Sequence, residues 1–473
     1  MKNYIQLYIN GDWVASTGDQ TLTVVNPANS EVVAQVPAAT VDDVDSAVKA
    51  AKKAFANFSA TSSAYRAGLI HKIADVMEAR KDELIQAIVN SMGCPVAFAD
   101  DIQVQGAIDS FRSFADLAGE LDKQEQHDAF ITVHEAIGVC VLINPWNYPL
   151  SQLVGKLGPA LAAGCTVVIK PAEQTPLQDL ILADIIHQCD VPDGVVNVLT
   201  GVGRDIGEAL CSHPDVDMVS FTGSTLAGIK VAQAAAPTVK RVCQELGGKS
   251  PYIIAPGADL NAAVKYGVED IMINSGQTCS ALTRMLVPRD VLSEVEHIAL
   301  NMVSAWTPGD PNNPDTLMGP LSSKLQQERV LTYIDAGIKE GARLLCGGKK
   351  LPEYLKNGAY VMPTIFSDVT PNMTIAREEI FGPVLCIIPY GSLDEAIQIA
   401  NDTVYGLSSA VYATDKEQAL KIAAQLKAGQ CLIQGAYFNT HAPFGGYKQS
   451  GNGREWGVEG LKEYTETKAI IFQ

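Results

Sequence analysis

The amino-terminal part of the chain carries the apolar spacing of helices. Residues 41–58 and 64–92 repeat apolar side chains three and four positions apart. The first stretch follows Thr40 and has acidic residues in its first turn, which is typical of a helix start. The polar segment 122–137 interrupts the helical spacing, and we expect it to form either a linker or a β-ribbon that projects from the body.

From residue 138 the pattern changes to short β-rich runs separated by helical stretches. The predicted strands are 138–145, 165–171, 195–201, 216–224 and 238–248. Each repeat has the length of a β-α-β crossover, so the pattern predicts an α/β fold with a parallel, doubly wound sheet. Such sheets bind ligands at the carboxyl ends of their strands. The candidate ligand-binding segments are therefore 144–147, 170–173, 201–207, 221–224 and 245–248.

A second α/β pattern begins at residue 251. Strand-like runs at 251–256, 283–288 and 384–390 alternate with helical stretches such as 260–274. The chain ends in the strand-like segment 468–473, which could pair with another sheet. The whole chain therefore predicts two α/β sheets in succession.

Composition and charge narrow the function classes. Of the 473 residues, 47% are apolar and 19% are charged, which excludes disordered, collagen-like and coiled-coil proteins. Asp and Glu number 53 against 35 Lys and Arg, so the formal net charge is −18, and no basic run relieves it. Because such a surface repels phosphate backbones, we expect no nucleic-acid partner.

Targeting, cysteine and histidine patterns indicate a cytoplasmic protein without a metal. The amino terminus lacks the apolar core of a secretion signal, and no stretch has the ~18 apolar residues that cross a bilayer. The ten cysteines lie at least 22 positions apart, which excludes CxxC motifs and gives no disulfide framework. The seven histidines show no paired spacing. We expect no membrane partner and no metal site.

Cys279 is the cysteine whose surroundings favour chemistry. It lies in the loop NSGQTCS, between the predicted helix 260–273 and the strand 284–287. The loop supplies backbone N–H donors and the Gln277 amide, which could stabilise a thiolate and then an oxyanion. The alternative is a small buried hydrophobe, the role that we assign to the other nine cysteines.

Glu245 lies at the end of a predicted strand, where the chain turns through two glycines. A carboxylate at the ligand-binding edge of a sheet should be partly desolvated, which raises its pKa and suits a general base. A helix cap or a solvated strand end is the alternative role.

Glycine-rich segments give weaker signals for a phosphate site. Gly201, Gly203 and Gly207 fall one residue away from the dinucleotide fingerprint. The run 221–225 opens a helix with Gly228 in its first turn, which suits a phosphate at a helix amino terminus. Each signal alone is also compatible with an ordinary turn.

Together, these segments resemble the NAD(P)-dependent aldehyde dehydrogenase superfamily, of the non-acylating, hydrolytic type. They keep the family's order and spacing over nearly the whole chain. The matching segments are PWNYPL at 145–150, KLGPALAAG at 156–164, VVIKPAEQTP at 167–176, FTGST at 221–225, ELGGKSP at 245–251, GQTCSA at 276–281, EEIFGPV at 378–384 and PFGGYKQSGNGRE at 443–455.

The resemblance implies a role for each matching residue. Cys279 would be the nucleophile, Glu245 the general base, and Asn147 would form the oxyanion hole with the Cys279 N–H. Glu455 would be a proton relay from Glu245, and the role of Lys156 stays open. The implied cofactor-binding residues are Asn144, Pro145, Trp146, Lys170, Glu173, Gly203, Gly207, Phe221, Thr222, Gly223, Ser224, Leu246, Glu379 and Phe381.

The family also implies a domain organisation and an assembly. Residues 1–121 and 138–247 would form the NAD-binding domain, and 248–447 the catalytic domain. Residues 122–137 and 448–473 would form an oligomerisation arm and carboxyl-terminal segment. We expect a homodimer or homotetramer, with NAD preferred and NADP possible.

The implied reaction is oxidation of an aldehyde to a carboxylic acid through a cysteine thiohemiacetal and a thioester that water hydrolyses. One alternative is a CoA-acylating relative, against which Glu245 argues because that reaction needs no base for water. Another is a non-catalytic structural or binding protein on the same fold, against which the complete Cys, Glu and Asn set argues.

The substrate is less defined by the sequence. Gly155 stands where many family members carry an aromatic residue, and Ser151 and Gln152 add polarity to the same helix. These residues predict a roomier, more hydrophilic tunnel, and no neighbouring arginine indicates a carboxylate clamp. We expect oxidation of a broad range of aldehydes.

Overall fold

Twenty strands form four sheets in residues 4–473, the part of the chain that the computed structural model describes. In chain order the strands are β1 (Leu7–Ile9), β2 (Asp12–Val14), β3 (Thr21–Val25), β4 (Val32–Pro37), β5 (Glu125–Gln126), β6 (Phe130–Ala136), β7 (Val139–Ile143), β8 (Thr166–Lys170), β9 (Val196–Val198), β10 (Met218–Thr222), β11 (Arg241–Glu245), β12 (Pro251–Ile254), β13 (Arg284–Pro288), β14 (Arg343–Cys346), β15 (Thr364–Ser367), β16 (Val384–Tyr390), β17 (Ala410–Tyr412), β18 (Leu432–Ile433), β19 (Gly451–Asn452) and β20 (Thr465–Ile471).

Helices connect and cover these strands. The α-helices are α1 (Val41–Ser59), α2 (Ser63–Ala79), α3 (Lys81–Met92), α4 (Val96–Phe98), α5 (Gly106–Leu117), α6 (Pro149–Ala163), α7 (Leu177–Gln188), α8 (Gly203–Ser212), α9 (Thr225–Ala235), α10 (Leu260–Met272), α11 (Leu292–Val303), α12 (Lys324–Lys339), α13 (Thr374–Arg377), α14 (Leu393–Asn401), α15 (Lys416–Ala423) and α16 (Gly457–Lys462). A π-helical segment, Ala99–Gln105, joins α4 to α5. Short 3-10 turns occupy Ala118–Asp122, Ala236–Thr238, Ile273–Gly276, Arg289–Val291, Glu353–Leu355 and Lys448–Ser450.

The first sheet has eight strands in the order β19-β11-β10-β7-β8-β9-β1-β2. Strands β7 to β11 are all parallel, and the order reverses between β7 and β10. Such a reversal opens a crevice at the carboxyl ends of the two central strands, which is where ligands bind in doubly wound sheets. The predicted doubly wound α/β fold is confirmed.

Both faces of this sheet are buried, as expected for parallel strands covered by helices. Alternate side chains of β7, such as Cys140 and Leu142, pack with α2, α3, α5, α6 and α7. The intervening ones, Val139 and Val141, pack with α1 and α8. The core therefore lies in two layers, one on each side of the sheet.

Local sequence signals place several helix boundaries. The Thr40 side chain accepts the Asp43 N–H and the Asp43 carboxylate accepts the Thr40 N–H, which forms a capping box. The apolar stretch 64–92 forms two helices rather than one, because Arg80 leaves the helical conformation at φ −112° and ψ 22°. Its guanidinium pairs with Glu83 and Asp184 at the break.

The second sheet has seven strands in the order β14-β15-β16-β13-β12-β17-β18. Its strands are parallel except β14, which runs antiparallel to β15 at one edge. Apolar clusters cover both faces, with Ile253 and Leu286 in one and Tyr252 and Met285 in the other.

A three-stranded antiparallel sheet, β20-β6-β5, forms an arm. The segment 122–137 is therefore a β-ribbon, and the carboxyl-terminal strand pairs with β6 over seven residues of the same chain. One edge of β20 stays unpaired in this sheet. The preceding strand, β19, pairs with β11 in the first sheet.

Residues 4–473 contain neither a candidate membrane helix nor a candidate metal cluster. None of the helices there is long and apolar enough to cross a bilayer. Within the same residues, no group of three or more His, Cys, Asp and Glu side chains is placed to hold a metal ion.

Candidate active site

The loop that carries Cys279 is folded by three successive residues with positive φ. Asn274, Ser275 and Gly276 have φ angles of 53°, 55° and 71°. A Cβ at Gly276 would lie 2.1 Å from the Gly382 carbonyl oxygen, so only glycine fits there. The loop therefore packs closely against the residues that precede β16.

Amide side chains inside this loop hold its backbone. The Gln277 Nε2 donates to the Asn274 carbonyl at 3.0 Å, and its Oε1 accepts the Ser322 N–H at 2.8 Å. The expectation that this amide stabilises a thiolate is wrong, because Gln277 is fully buried and its amide is engaged with the backbone. Its role is to shape the loop.

Cys279 is half-buried and lies where the two α/β sheets meet. A Cβ at Gly248 would lie 2.3 Å from the Cys279 carbonyl oxygen, so the turn after β11 touches the cysteine backbone. The Cys279 side chain packs against a cluster of Phe114, Leu407, Phe444 and Trp456. One face of the thiol is therefore apolar.

The surroundings of Cys279 favour the protonated thiol. Burial raises its pKa well above the usual range, and the nearby carboxylates of Glu245, Glu379 and Glu455 raise it further. The Ser280 N–H acts in the opposite direction but is outweighed. Stabilisation of a thiolate by the loop stays a prediction, and attack on a carbonyl by the protonated thiol requires a group that accepts its proton.

Asn147 precedes α6 and is fixed to the cysteine loop. Its Nδ2 donates to the Gln277 carbonyl at 2.9 Å. Its own carbonyl accepts Gln103 Nε2 at 2.9 Å and Asn274 Nδ2 at 3.0 Å. The structure thus brings Asn147 and the cysteine loop together through Gln277. Gln103 and Asn274, which the sequence did not single out, hold Asn147 in place.

Glu245 ends β11, and its carboxylate is buried without a partner. Its side chain is 3% exposed, and neither carboxylate oxygen has a hydrogen-bond partner among residues 4–473. Burial and the Glu455 charge raise its pKa well above the usual range, while Lys156 and Arg454 act in the opposite direction. The predicted rise of the pKa is confirmed, and the free oxygens can accept a proton.

Lys156 and Glu455 form a buried ion pair beside Glu245. The Lys156 Nζ lies 2.8 Å from the Glu455 Oε1, and the two side chains are 0% and 6% exposed. The same Nζ donates to the carbonyl and to the Oε1 of Gln152, each at 3.3 Å. About 300 residues separate the pair in the sequence, so only the fold shows that they meet.

Lys170, Glu173 and Gly203 form one cluster at the carboxyl ends of β8 and β9. The Glu173 Oε1 accepts the Gly203 N–H at 2.5 Å and lies 3.4 Å from the Lys170 Nζ. Burial raises the pKa of Glu173, but the Lys170 charge and the Gly203 N–H outweigh it and hold the pKa below its usual value. Glu173 is therefore an ionised acceptor. Gly207 lies one turn further along α8, where an added Cβ would meet only open space.

The carboxyl ends of β10 and β11 form a second cluster around the start of α9. The Gly223 N–H donates to the Glu245 carbonyl at 3.0 Å, and a Cβ at Gly223 would lie 2.6 Å from the Phe221 ring. The Ser224 Oγ accepts the Ala227 N–H at 3.3 Å and so caps α9. Leu246 packs against Gly228 in the same helix. The sheet edge and the helix start are thereby joined.

The Thr222 Oγ1 points the other way, toward α6. It donates to the Gln152 Oε1 at 3.4 Å. Asn144 and Pro145 follow β7 at the same edge, and the Asn144 N–H donates to the Lys170 carbonyl at 3.1 Å. The end of β7 is therefore bonded to the end of β8, and the end of β10 to α6.

Glu379 and Phe381 reach this edge from the second sheet. The Glu379 Oε1 accepts the Gly248 N–H at 3.0 Å, and a Cβ at Gly247 would lie 2.7 Å from its carboxylate. Phe381 has a φ of 60°, and its ring meets Trp146 edge-on at a centroid distance of 5.3 Å. These residues close the crevice between the two sheets.

An aromatic wall, formed by Phe438, Phe444 and Trp456, borders Cys279. Its rings meet edge to face at centroid distances of 5.0 to 5.8 Å. The Trp456 indole also fills the space beside Gly155, since a Cβ there would lie 2.8 Å from its Cζ2. The sequence could not show that a glycine in α6 is matched by a tryptophan far along the chain.

The expected roomier and more hydrophilic tunnel is therefore wrong. Trp456 occupies the room that Gly155 leaves. The Gln152 Oε1 is engaged by Thr222 and Lys156, and the Ser151 Oγ donates to the Gln103 carbonyl at 3.2 Å. The polar groups of this helix bond to the protein, and the wall beside the thiol is apolar.

Comparison with known proteins shows which proteins this chain is similar to. Residues 13–470 match the family model described as the aldehyde dehydrogenase family. A 3-succinoylsemialdehyde-pyridine dehydrogenase from a Pseudomonas species is 48% identical over 472 residues, which span 100% of this chain and 99% of that protein.

Solved structures of two bacterial aldehyde dehydrogenases have nearly the same fold as this chain. A cysteine-to-alanine mutant of aldehyde dehydrogenase C from Pseudomonas syringae, complexed with NAD+ and octanal, is 49% identical with a TM-score of 0.97, over 98% of this chain and 96% of that chain. An aldehyde dehydrogenase from Mycobacterium tuberculosis, complexed with NAD+, is 40% identical with a TM-score of 0.97, over 100% of this chain and 99% of that chain.

Proposed function

Because this chain belongs to the aldehyde dehydrogenase family, we propose that it oxidises an aldehyde to the carboxylic acid with NAD, using Cys279, Glu245 and Asn147. The observation that carries the proposal is the Glu245 carboxylate, which is buried beside Cys279 and has two oxygens without partners. A buried carboxylate without hydrogen-bond partners destabilises the folded protein, so such groups occur mainly at functional sites. At such a site the carboxylate can accept a proton.

The first step is attack of the Cys279 sulfur on the aldehyde carbon. A C–S bond forms, the thiol proton leaves, and the carbonyl oxygen becomes an oxyanion. The Asn147 amide and the Cys279 N–H would stabilise this oxyanion. Because the pKa of the thiol is raised, the proton needs an acceptor, and Glu245 supplies one.

The second step turns the thiohemiacetal into a thioester through loss of a hydride. When bound, NAD supplies the hydride acceptor. Two features of the site fit that cofactor. Glu173 presents an ionised carboxylate beside Gly203. Gly247 has no side chain, so the space next to the Glu379 carboxylate, which a Cβ would occupy, stays free. Lys170 and Glu173 would bind the adenosine ribose, and Glu379 the nicotinamide ribose.

The last step is hydrolysis of the thioester. Glu245 first releases the proton that it took from the thiol. It then takes a proton from water while the hydroxide oxygen bonds to the acyl carbon, the C–S bond breaks, and the leaving thiolate takes that proton from Glu245 to regenerate the thiol. The Lys156–Glu455 pair stands next to Glu245, so we propose that Glu455 relays the proton onward and Lys156 holds Glu455 in place.

Hydrolysis and transfer to CoA are distinguished by one assay. We expect NADH formation from an aldehyde and NAD in the absence of CoA, with the carboxylic acid as product. NADH formation that requires CoA would assign the chain to the acylating type. No NADH from aliphatic, aromatic, amino- or carboxylate-bearing aldehydes would favour a non-catalytic role.

The enzyme should prefer NAD to NADP because of Glu173. Its ionised carboxylate can accept hydrogen bonds from both ribose hydroxyls, whereas a 2′-phosphate would bring like charges together. At about 5 Å this repulsion supports a preference of about ten- to a hundredfold in kcat/KM, with salt and Lys170 reducing it.

The cofactor preference is measured as kcat/KM with each cofactor in wild type and in Glu173→Gln. Glu173→Gln should lower the ratio of kcat/KM with NAD to kcat/KM with NADP, mainly because kcat/KM with NADP rises. A wild-type ratio near one, or a ratio that the substitution leaves unchanged, would show that Glu173 does not contact the ribose.

The aromatic wall indicates that the substrate has an apolar body. Replacing Trp456 with Leu opens space beside Gly155 and removes edge-to-face contacts. We expect kcat/KM for octanal or benzaldehyde to fall about tenfold, the scale of lost apolar contacts in a pocket, while acetaldehyde changes little. Equal losses for long and short aldehydes would argue against a substrate contact, and Trp456→Phe should retain most of the preference.

We also propose a homodimer or a dimer of dimers in the cytoplasm. The outer edge of β20 is unpaired, and Ile471 there is 78% exposed. On α9, Leu226 and Ile229 are 67% and 50% exposed. Unpaired edges and exposed apolar faces favour association. Light scattering at micromolar concentration should give at least twice the monomer mass, and a monomer would contradict the proposal.

A further inference from the structure

The π-helical segment Ala99–Gln105 packs beside Asn147, the residue to which we assign oxyanion stabilisation. Its hydrogen bonds span five residues instead of the four of an α-helix, as from the Gly106 N–H to the Asp101 carbonyl. Such segments are rare, and they occur frequently at functional sites. A role in the active site would explain why the helix departs from α geometry here.

Contacts with two neighbouring helices fix the position of this segment. From α3, the Lys81 Nζ lies 2.5 Å from the Asp100 Oδ1 and donates to the Gln105 Oε1 at 2.8 Å. From α6, the Ser151 Oγ donates to the Gln103 carbonyl at 3.2 Å. The segment is therefore held at both ends and near its middle.

The Gln103 side chain points from this segment into the protein. It is fully buried, and its only hydrogen bond within residues 4–473 runs from Nε2 to the Asn147 carbonyl, at 2.9 Å. Its Oε1 has no partner in the same part of the chain. A buried amide with an unpaired atom contributes less to stability than an apolar side chain of similar size. The stability of the fold therefore does not explain a glutamine at this position.

The contacts of Asn147 fix both its main chain and its side chain. Its carbonyl oxygen accepts two hydrogen bonds, from the Gln103 Nε2 at 2.9 Å and from the Asn274 Nδ2 at 3.0 Å. Its own Nδ2 donates to the Gln277 carbonyl at 2.9 Å. The Asn274 Nδ2 lies 3.4 Å from the same Gln277 carbonyl. Asn147 is thus held by the cysteine loop from one side and by Gln103 from the π-helical segment.

The orientation of the Asn147 amide matters to the proposed reaction. Its Nδ2 carries two hydrogens, and the Gln277 carbonyl accepts only one of them. The second hydrogen can therefore be donated to the oxyanion. Such a donor lowers the barrier most when the protein holds it in place before the negative charge develops.

We propose that Gln103 is a positioning residue for the oxyanion hole: it fixes the Asn147 main chain so that the Nδ2 hydrogen faces the substrate oxygen. This inference rests on the proposed function. Because Gln103 is fully buried, it acts through Asn147 and does not touch the substrate.

Gln103→Met tests the inference, because it keeps the length of the side chain and removes the donor. We expect kcat for aldehyde oxidation to fall about ten- to a hundredfold, the scale of a displaced catalytic group. Affinity for NAD, measured by titration, should stay unchanged, and Tm should stay within about 2 °C of wild type. Gln105→Met is the matched control from the same segment, and it should keep the wild-type kcat. A wild-type kcat in Gln103→Met would overturn the proposal.

A double-mutant cycle shows whether the effect passes through Asn147. Asn147→Ala removes the donor that Gln103 positions, so adding Gln103→Met to it should lower kcat by no more than about twofold. An equal fractional loss from Gln103→Met in the wild-type and Asn147→Ala backgrounds would show that the residue acts elsewhere. Should Gln103→Met fail to fold, Gln103→Asn, whose amide is one methylene shorter, should give the same selective loss.

Crystal structures give a readout that does not depend on activity. In Gln103→Met the Asn147 amide should move away from the Gln277 carbonyl or show higher B-factors than in wild type and Gln105→Met. An unmoved, equally ordered Asn147 would contradict the inference. A displaced Asn147 in a protein whose wild type oxidises no aldehyde would support the positioning role and count against the proposed function alone.

Discussion

Replacing Cys279 with alanine should abolish aldehyde oxidation while the enzyme still binds NAD. The substitution removes the sulfur to which we assign the covalent intermediate, so we expect a loss of several orders of magnitude in kcat. Binding of NAD should persist because the cluster of Lys170, Glu173 and Gly203 lies at the edge of the first sheet and does not involve the cysteine loop. NADH formation measures the first effect, and titration of the protein with NAD measures the second.

Cys346→Ala is a suitable control for this experiment. Cys346 is also half-buried, but it lies on β14 at the edge of the second sheet. The control should keep full activity. Appreciable turnover by Cys279→Ala in a preparation free of wild-type enzyme would rule out covalent catalysis at this residue.

Replacing Glu245 with glutamine should slow both steps in which this residue accepts a proton, attack by the thiol and hydrolysis of the thioester, and lower steady-state turnover about 10²–10⁴-fold, the range of a general-base contribution. The amide has nearly the shape of the carboxylate but cannot take a proton from water. Where acylation survives, rapid mixing should show a burst of NADH followed by a slow phase. Glu353→Gln, whose side chain is 86% exposed, is the matched control and should behave as wild type.

The pH dependence of wild-type turnover should reflect the titration of the Glu245 carboxyl group. Burial and the Glu455 charge raise the pKa of Glu245, so the group becomes protonated at a higher pH than an exposed glutamate. Turnover limited by hydrolysis should therefore fall as pH decreases through that raised pKa. Glu245→Gln should lack this acidic limb. An unchanged profile together with unchanged turnover in the variant would assign the base to another residue.

The fold could be predicted because its signals are local. The capping box at Thr40 needs only residues three positions apart, and the strand β7 is visible as a short apolar run. In a doubly wound sheet, the carboxyl ends of parallel strands meet at one edge, so the positions of Asn147, Lys170 and Glu245 at that edge followed from the strand pattern.

Other features depend on contacts between distant segments and could not be predicted. The Lys156–Glu455 pair and the fit of Trp456 against Gly155 each join α6 to a segment near the carboxyl terminus. The raised pKa of the Cys279 thiol comes from burial and from carboxylates that three separate segments bring together. A sequence pattern shows which residues follow one another but not which charges surround a site.

The covalent mechanism at Cys279 is tested most directly by the mass of the acylated enzyme. Glu245→Gln is incubated with an aldehyde and NAD until about one equivalent of NADH has formed, quenched in acid, and examined by intact-protein and peptide mass spectrometry. The mechanism predicts that the protein gains the mass of one acyl group and that the peptide containing Cys279 carries it. NADH formation without an acyl adduct, or an adduct on a different residue, would contradict the mechanism.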